Sequence, residues 1–203
     1  FSILDFDGSV VPTQVELVTR YPDDQDGADV VEVLGTVHCP PVPPPSGRLQ
    51  YEVIDNPHTA GSFAATKPVI GLLSPPGTIL LVAQDVFGNS YTLDLVKDSR
   101  LAYGNGTLHT LRDGVAAVQF RNYGVMLPTG TKIGPPDGAL PHFVGAHAYF
   151  TTWANSDAVS LDLRISSGTS GLDQNTKDDD PMGRIYFKSL ELWVKKGWTV
   201  ESE

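Results

Sequence analysis

The chain has 203 residues, with 20 Gly, 16 Pro, 8 Phe, 7 Tyr and 3 Trp, and 19% of its positions are charged. That composition excludes a coiled coil, a helical bundle and a disordered acidic tail, and it suits short strands joined by turns. Fourteen basic and 24 acidic residues leave a net charge of -10, which opposes nucleic-acid binding, since that binding draws on Lys and Arg to neutralise phosphates.

The first informative string is Ile3-Leu4-Asp5-Phe6-Asp7-Gly8-Ser9-Val10-Val11. It resembles the first motif of the haloacid-dehalogenase phosphotransferases, in which Asp-x-Asp-Gly-Thr/Ser ends a buried parallel strand. The resemblance implies Asp5 as the nucleophile toward phosphorus and Asp7 as a proton shuttle beside magnesium. It covers nine residues. That family also needs alternating strands and helices, a second Ser/Thr, a lysine and a distal acidic pair on a strand end. This chain shows no helical periodicity, and a Phe-Asp-Gly turn accounts for the same string.

Gln14 to Thr19, Val30 to Val37 and Arg48 to Ile54 read as strands, rich in β-branched residues. Between the first two, Asp23, Asp24, Asp26 and Asp29 gather four carboxylates around Gly27, a set that would suit Ca2+. No glutamate stands at the downstream EF-hand spacing, and a solvated acidic turn is the commoner origin of such a cluster. Through Arg48 there are two basic and eight acidic residues, a net -6. Cys39 is the lone cysteine, so an intrachain disulfide and a thiolate zinc cage are excluded. Five prolines occupy positions 40–45 and enforce a stiff, extended connection. The organisation expected is one domain over 1–203, with an N-terminal arm over 1–39 and a Pro-rich connector over 40–47.

Thr78 to Gln84 and Tyr91 to Val96 flank Gly88-Asn89, which is hairpin chemistry. Thr107 to Leu111 and Val115 to Arg121 flank Asp113-Gly114, the favoured pair for a type I′ turn. Gly145 to Trp153 and Ala158 to Ile165 follow, with Val159, Leu161, Leu163 and Ile165 expected to face the core. Arg184 to Val194 and Trp198 to Glu201 complete the set, turning at Lys195-Lys196-Gly197. About ten to thirteen strands at this spacing predict an all-β fold, an antiparallel β-sandwich of jelly-roll type with little or no helix.

Chemistry is harder to place. His38, His58, His109, His142 and His147 share no metal-ligand spacing, and no Gly-x-Ser-x-Gly elbow or phosphate-binding glycine loop is present. Asp173, Asn175 and Asp178 to Asp180 make a second oxygen-rich loop, and Asn105-Gly106-Thr107 meets the N-glycosylation sequon. Tyr186-Phe187-Lys188 resembles a strand of the jelly-roll alginate lyases, whose Gln-Ile-His partner is absent. No residue is therefore assigned a catalytic role. Trp153, Trp193, Trp198 and Tyr149 are the candidate carbohydrate-stacking residues, although large rings also fill sandwich cores.

No apolar run reaches the ~20 residues of a membrane-spanning helix. The start at Phe1 rather than Met is expected of a processed product or fragment. The function expected is that of a non-catalytic structural or assembly protein in a virion, tail or cell surface, working through contacts with protein subunits in a homo- or hetero-oligomer. The alternatives are a carbohydrate-binding module with a glycan partner and, behind it, a jelly-roll carbohydrate-active enzyme. Sandwiches host all three.

Overall fold

The structure is a computed structural model. It describes residues 2–11, 13–20, 22–23, 27–35, 37, 39–42, 45–54, 73, 75–97, 109–129, 139–153, 156–168 and 185–201. These residues form thirteen strands and no complete helix: β1 (Ser2–Leu4), β2 (Val10–Val11), β3 (Thr13–Thr19), β4 (Val30–Gly35), β5 (Glu52–Ile54), β6 (Ile79–Asp85), β7 (Ser90–Asp94), β8 (His109–Asp113), β9 (Ala117–Val125), β10 (Leu127–Pro128), β11 (Val144–Trp153), β12 (Val159–Ser167) and β13 (Phe187–Val194). The sheet orders are β2-β1-β5, β3-β4, β10-β7-β6-β13 and β12-β11-β9-β8. Every strand pair whose register is defined is antiparallel.

The chain divides into two compact units. Unit 1 comprises Phe1–Val69, Thr110–Gln119 and Thr151–Val159; unit 2 comprises Ile70–His109, Phe120–Phe150 and Ser160–Glu203. The aromatic core belongs to unit 2. Along β6 the side chains alternate between buried and half-buried, with Ile79, Leu81, Ala83 and Asp85 inward, as a pleated strand requires. In β11, Val144, Ala146, Ala148 and Phe150 are buried in the same rhythm. Tyr91 stacks on Phe143 with centroids 4.1 Å apart, and Phe120 stacks on Phe150 at 5.2 Å. Burial of such rings supplies the largest apolar contribution per residue.

Unit 1 buries differently. Its buried described residues are Ser2, Asp5, Val11, Gln14, Ala116, Ala117, Thr151 and Thr152, all small or polar. The string from Ile3 to Val11 is a β1–β2 hairpin, with Ile3 opposite Val11. Asp5 N–H donates to Ser9 O at 2.8 Å, Gly8 N–H to Asp5 O at 2.8 Å and Ser9 N–H to the Asp7 carboxylate at 2.8 Å. Both aspartates thus shape an antiparallel turn, whereas the phosphotransferase motif ends a parallel strand.

Several expectations need correction. The β8–β9 connection is Gly114-Val115-Ala116, and Gly114 is not among the positive-φ glycines, so Asp113-Gly114 does not form a type I′ turn. A tertiary contact sets this loop instead. Gln14 Oε1 accepts the N–H groups of Ala116 at 3.3 Å and Ala117 at 3.0 Å. A Cβ at Gly114 would collide with the Gln14 side-chain amide and force that side chain to shift. Trp198 to Glu201 is not a strand, and the strand expected from Arg48 begins only at Glu52. In β12, Val159, Leu161 and Leu163 are half-buried and Ile165 is exposed. The reason is position: β12 ends its sheet, so its inward face is only partly covered. Asp24, Asp26, His38, His58, the sequon at Asn105 and the acidic loop from Asp173 to Asp180 lie outside the described residues.

Candidate functional site

The β3–β4 ribbon of unit 1 is inside out. Its register sets Gln14 opposite Leu34, Val15 opposite Val33, Glu16 opposite Glu32 and Leu17 opposite Val31. Cross-strand partners share a face, so the ribbon has one mostly polar side, carrying Gln14, Glu16 and Glu32 together with Leu34, and one apolar side, carrying Val15, Leu17, Val31 and Val33. The polar side is the covered one. Besides the Gln14 contacts to Ala116 and Ala117, Arg112 from β8 reaches Glu32 at 2.7 Å and Glu16 at 3.4 Å. Gln14 also donates to Glu16 through its side-chain amide. Two glutamates directly opposite one another repel, and the guanidinium between them relieves that repulsion. Val15 and Leu17 remain 43% and 44% exposed, and Val31 is exposed beside them.

In unit 2 the second accessible apolar surface lies on β13, the strand that ends the β10-β7-β6-β13 order. Trp193 is 54% exposed on the outer face, whereas Phe187 and Leu192, also exposed, lie on the inner face opposite Asp85 and Leu81, and exposed Tyr186 precedes the strand. Trp193 pairs with Leu80 and Glu191 with Val82, and the Trp193 indole N–H donates to Glu191 Oε2 at 2.7 Å. The register slips between Phe187 and Ser189, so Lys188 is the extra residue of a bulge. Lys195 and Lys196 stand exposed just beyond. Lys195 N–H donates to Thr78 O at 2.9 Å, which ties the turn to the sheet.

Phe187 is paired with Asp85, which anchors the β6–β7 hairpin. Asp85 is buried. Its Oδ1 accepts Phe87 N–H at 2.9 Å and Asn89 N–H at 2.8 Å; its Oδ2 accepts the Asn89 amide at 2.8 Å and the Tyr91 hydroxyl at 3.0 Å. Leu140 N–H donates to that hydroxyl at 2.8 Å. Burial pushes the Asp85 carboxyl up, but these hydrogen bonds outweigh it and hold the carboxyl below its usual range. Tyr91 is pushed up to about 12, first by burial and further by the Asp85 charge, against a downward pull from Leu140. Gly88 at φ +90° closes the turn, a conformation that a side chain disfavours. The clamp holds Val86 and Phe87 out in solvent, Phe87 by 67%.

The candidate stacking residues separate. Trp153 is half-buried on β11 in unit 1. Tyr149, Trp193 and Trp198 belong to unit 2. There Tyr149 is half-buried on β11 beneath Arg164, whose guanidinium carbon lies 4.8 Å from the ring centroid. Trp193 is on β13, in the other four-stranded sheet, and half-buried Trp198 follows the lysine turn. Of the proposed calcium ligands, Asp23 and Asp29 are exposed. Asp29 is held by its N–H to Thr19 O at 3.0 Å and by the Thr19 hydroxyl at 3.4 Å. No group of three metal-ligating side chains occurs among the described residues.

No protein-family model, curated protein or solved structure matches this chain. The reading of function rests on the surfaces just described.

Proposed function

We propose that the chain is a non-catalytic structural protein of a virion, tail or cell-surface assembly, and that it joins further copies of itself head to tail. The observation that carries this reading is the inverted ribbon, whose polar face is covered and whose Val15, Leu17 and Val31 face water. A contiguous apolar face of that kind marks an association surface. A two-stranded ribbon is also marginal alone in water.

Charge identifies the occupant. The first 48 residues carry a net -6, so two ribbons would repel one another. The outer side of β13 has the complementary character: exposed Trp193, opposite Leu80, is followed by exposed Lys195 and Lys196 in the turn. An apolar-acidic ribbon on one copy meeting an apolar-basic strand on the next is a heterologous contact, which propagates into rings or filaments. Within unit 2, the buried faces of β6–β7 and of β9–β11 are the two halves of the proposed jelly-roll sandwich.

Light scattering over a concentration series tests the assembly. The parent chain gains mass with concentration, and added salt reduces the gain because exposed charges are screened within about 10 Å. Leu17→Asp removes one end of the contact; the double change Lys195→Glu with Lys196→Glu removes the other. Each variant alone is monomeric, and their mixture stops at a dimer. A parent chain that stays monomeric, or a mixture that grows without limit, contradicts the reading.

A further inference from the structure

A second surface of unit 2 is polar and aromatic. Gly145, His147 and Tyr149 alternate along β11 with the buried Ala146 and Ala148, so they occupy the face opposite the core. The Tyr123 ring from β9 lies 4.6 Å from the His147 ring, tilted by 37°. That contact puts Tyr123 on the same face, and Arg121 with it by the strand period. From β12, Arg164 covers Tyr149 and pairs with Asp162 at 3.2 Å. A Cβ at Gly145 would stand 3.1 Å from the Ser166 hydroxyl and 3.6 Å from the Tyr123 hydroxyl. The two hydroxyls therefore converge over the Gly145 backbone, beside Gly168.

Three features of this face are unsatisfied. Tyr123 is 52% exposed although it packs on His147. Arg121 is half-buried, and its side chain makes no ion pair or hydrogen bond among the described residues. His147 Nδ1 is buried with no hydrogen-bond partner among the described residues, and such a group costs free energy until something bonds to it. Two guanidiniums against one carboxylate also make the face positive, on a chain whose net charge is -10.

We propose that this face binds an acidic saccharide, a carbohydrate bearing carboxylates. The Tyr123 ring offers a flat apolar surface to the C–H face of a pyranose. Arg121 takes a carboxylate in the paired geometry that a guanidinium provides. Arg164 supplies a second such site, because its pair with exposed Asp162 is weak in water and exchanges at little cost. The Ser166 and Tyr123 hydroxyls bond sugar hydroxyls. From Gly145 to Tyr149 the strand runs about 13 Å, which leaves room for more than one sugar ring.

The test uses the full chain carrying Leu17→Asp, so that self-association cannot report as binding. Oligogalacturonate and sialyllactose are titrated by calorimetry against neutral counterparts, the methyl ester of the former and lactose. An acidic sugar binds saturably and its neutral counterpart at least tenfold more weakly. Tyr123→Ala and Arg121→Gln each lower the affinity at least tenfold with an unchanged melting temperature, and Trp193→Ala, on the other sheet, leaves it unchanged. Absence of saturable binding to both acidic probes overturns the proposal. So does equal binding of the neutral forms, or binding indifferent to Tyr123→Ala and Arg121→Gln.

Discussion

Unit 2 buries Leu81, Tyr91, Phe120, Phe143 and Phe150, whereas unit 1 buries Gln14, Asp5, Ser2 and two alanines and leaves Val15, Leu17, Val31 and Val53 in water. Strands of similar period-two patterning have thus been used in opposite senses. In unit 2 the apolar face is the folding face. In unit 1 a polar lattice around Gln14, Glu16, Glu32 and Arg112 orders the ribbon, and the apolar residues Val15, Leu17 and Val31 are left exposed. Patterning alone fixes which residues share a face; it does not fix which face is covered.

The sharpest way to break this contrast is truncation. Phe150→Ala should cost about 3–5 kcal/mol, the usual range for a buried ring. Leu17→Ala and Val31→Ala should stay within about 0.5 kcal/mol in the monomer, as surface changes do. Urea unfolding at low protein concentration measures all three, and a Leu17→Ala cost near that of Phe150→Ala would erase the difference between the units.

A smaller effect is expected from the buried polar cluster of unit 2. Tyr91→Phe strands the Leu140 N–H and removes one donor from Asp85, at about 1–3 kcal/mol. Its pH signature has two limbs. The lowered Asp85 value gives stability that is present above the unfolded value near 4 and is lost as pH falls through the folded value. The raised Tyr91 value gives stability that is present below about pH 10 and is lost as pH climbs toward 12. Melting curves against pH should show both limbs; Asp85→Asn should flatten the acid one and Tyr91→Phe the alkaline one.

In unit 1, Gly114→Ala should displace the Gln14 side chain and leave Ala116 and Ala117 N–H groups without their acceptor, at about 1–2 kcal/mol. Arg112→Met should cost the least, about 1 kcal/mol or below, because its partners are partly exposed. That cost should shrink in high salt, which a urea series at two ionic strengths would show.

Much of the strand set was legible in the chain itself. Ile79 to Asp85, Ser90 to Asp94 and Val144 to Trp153 follow from alternation and from Gly88-Asn89. What local reasoning missed was tertiary in origin. Asp113-Gly114 reads as a type I′ turn until Gln14, a hundred residues away, supplies the acceptor that sets the loop. The strands carrying Val15, Leu17 and Val31 were legible, but which of their faces is covered depends on Arg112 claiming the glutamates behind them. The one hint in the sequence was Glu16 and Glu32 alternating with the apolar residues, with no indication of which side would find a partner. The Tyr123–Arg121 face stayed hidden because its residues lie on three strands far apart in sequence. Tyr149 alone was singled out there.

Hydrogen exchange read by mass spectrometry, on the parent chain dilute and at an assembling concentration, tests the central claim most directly. The account predicts that protection gained on concentration is confined to residues 13–19 and 30–35 of the ribbon and 187–194 of β13, with β7 and β11 already slow in both samples. Gains spread evenly over the chain, or none in the ribbon, would contradict it.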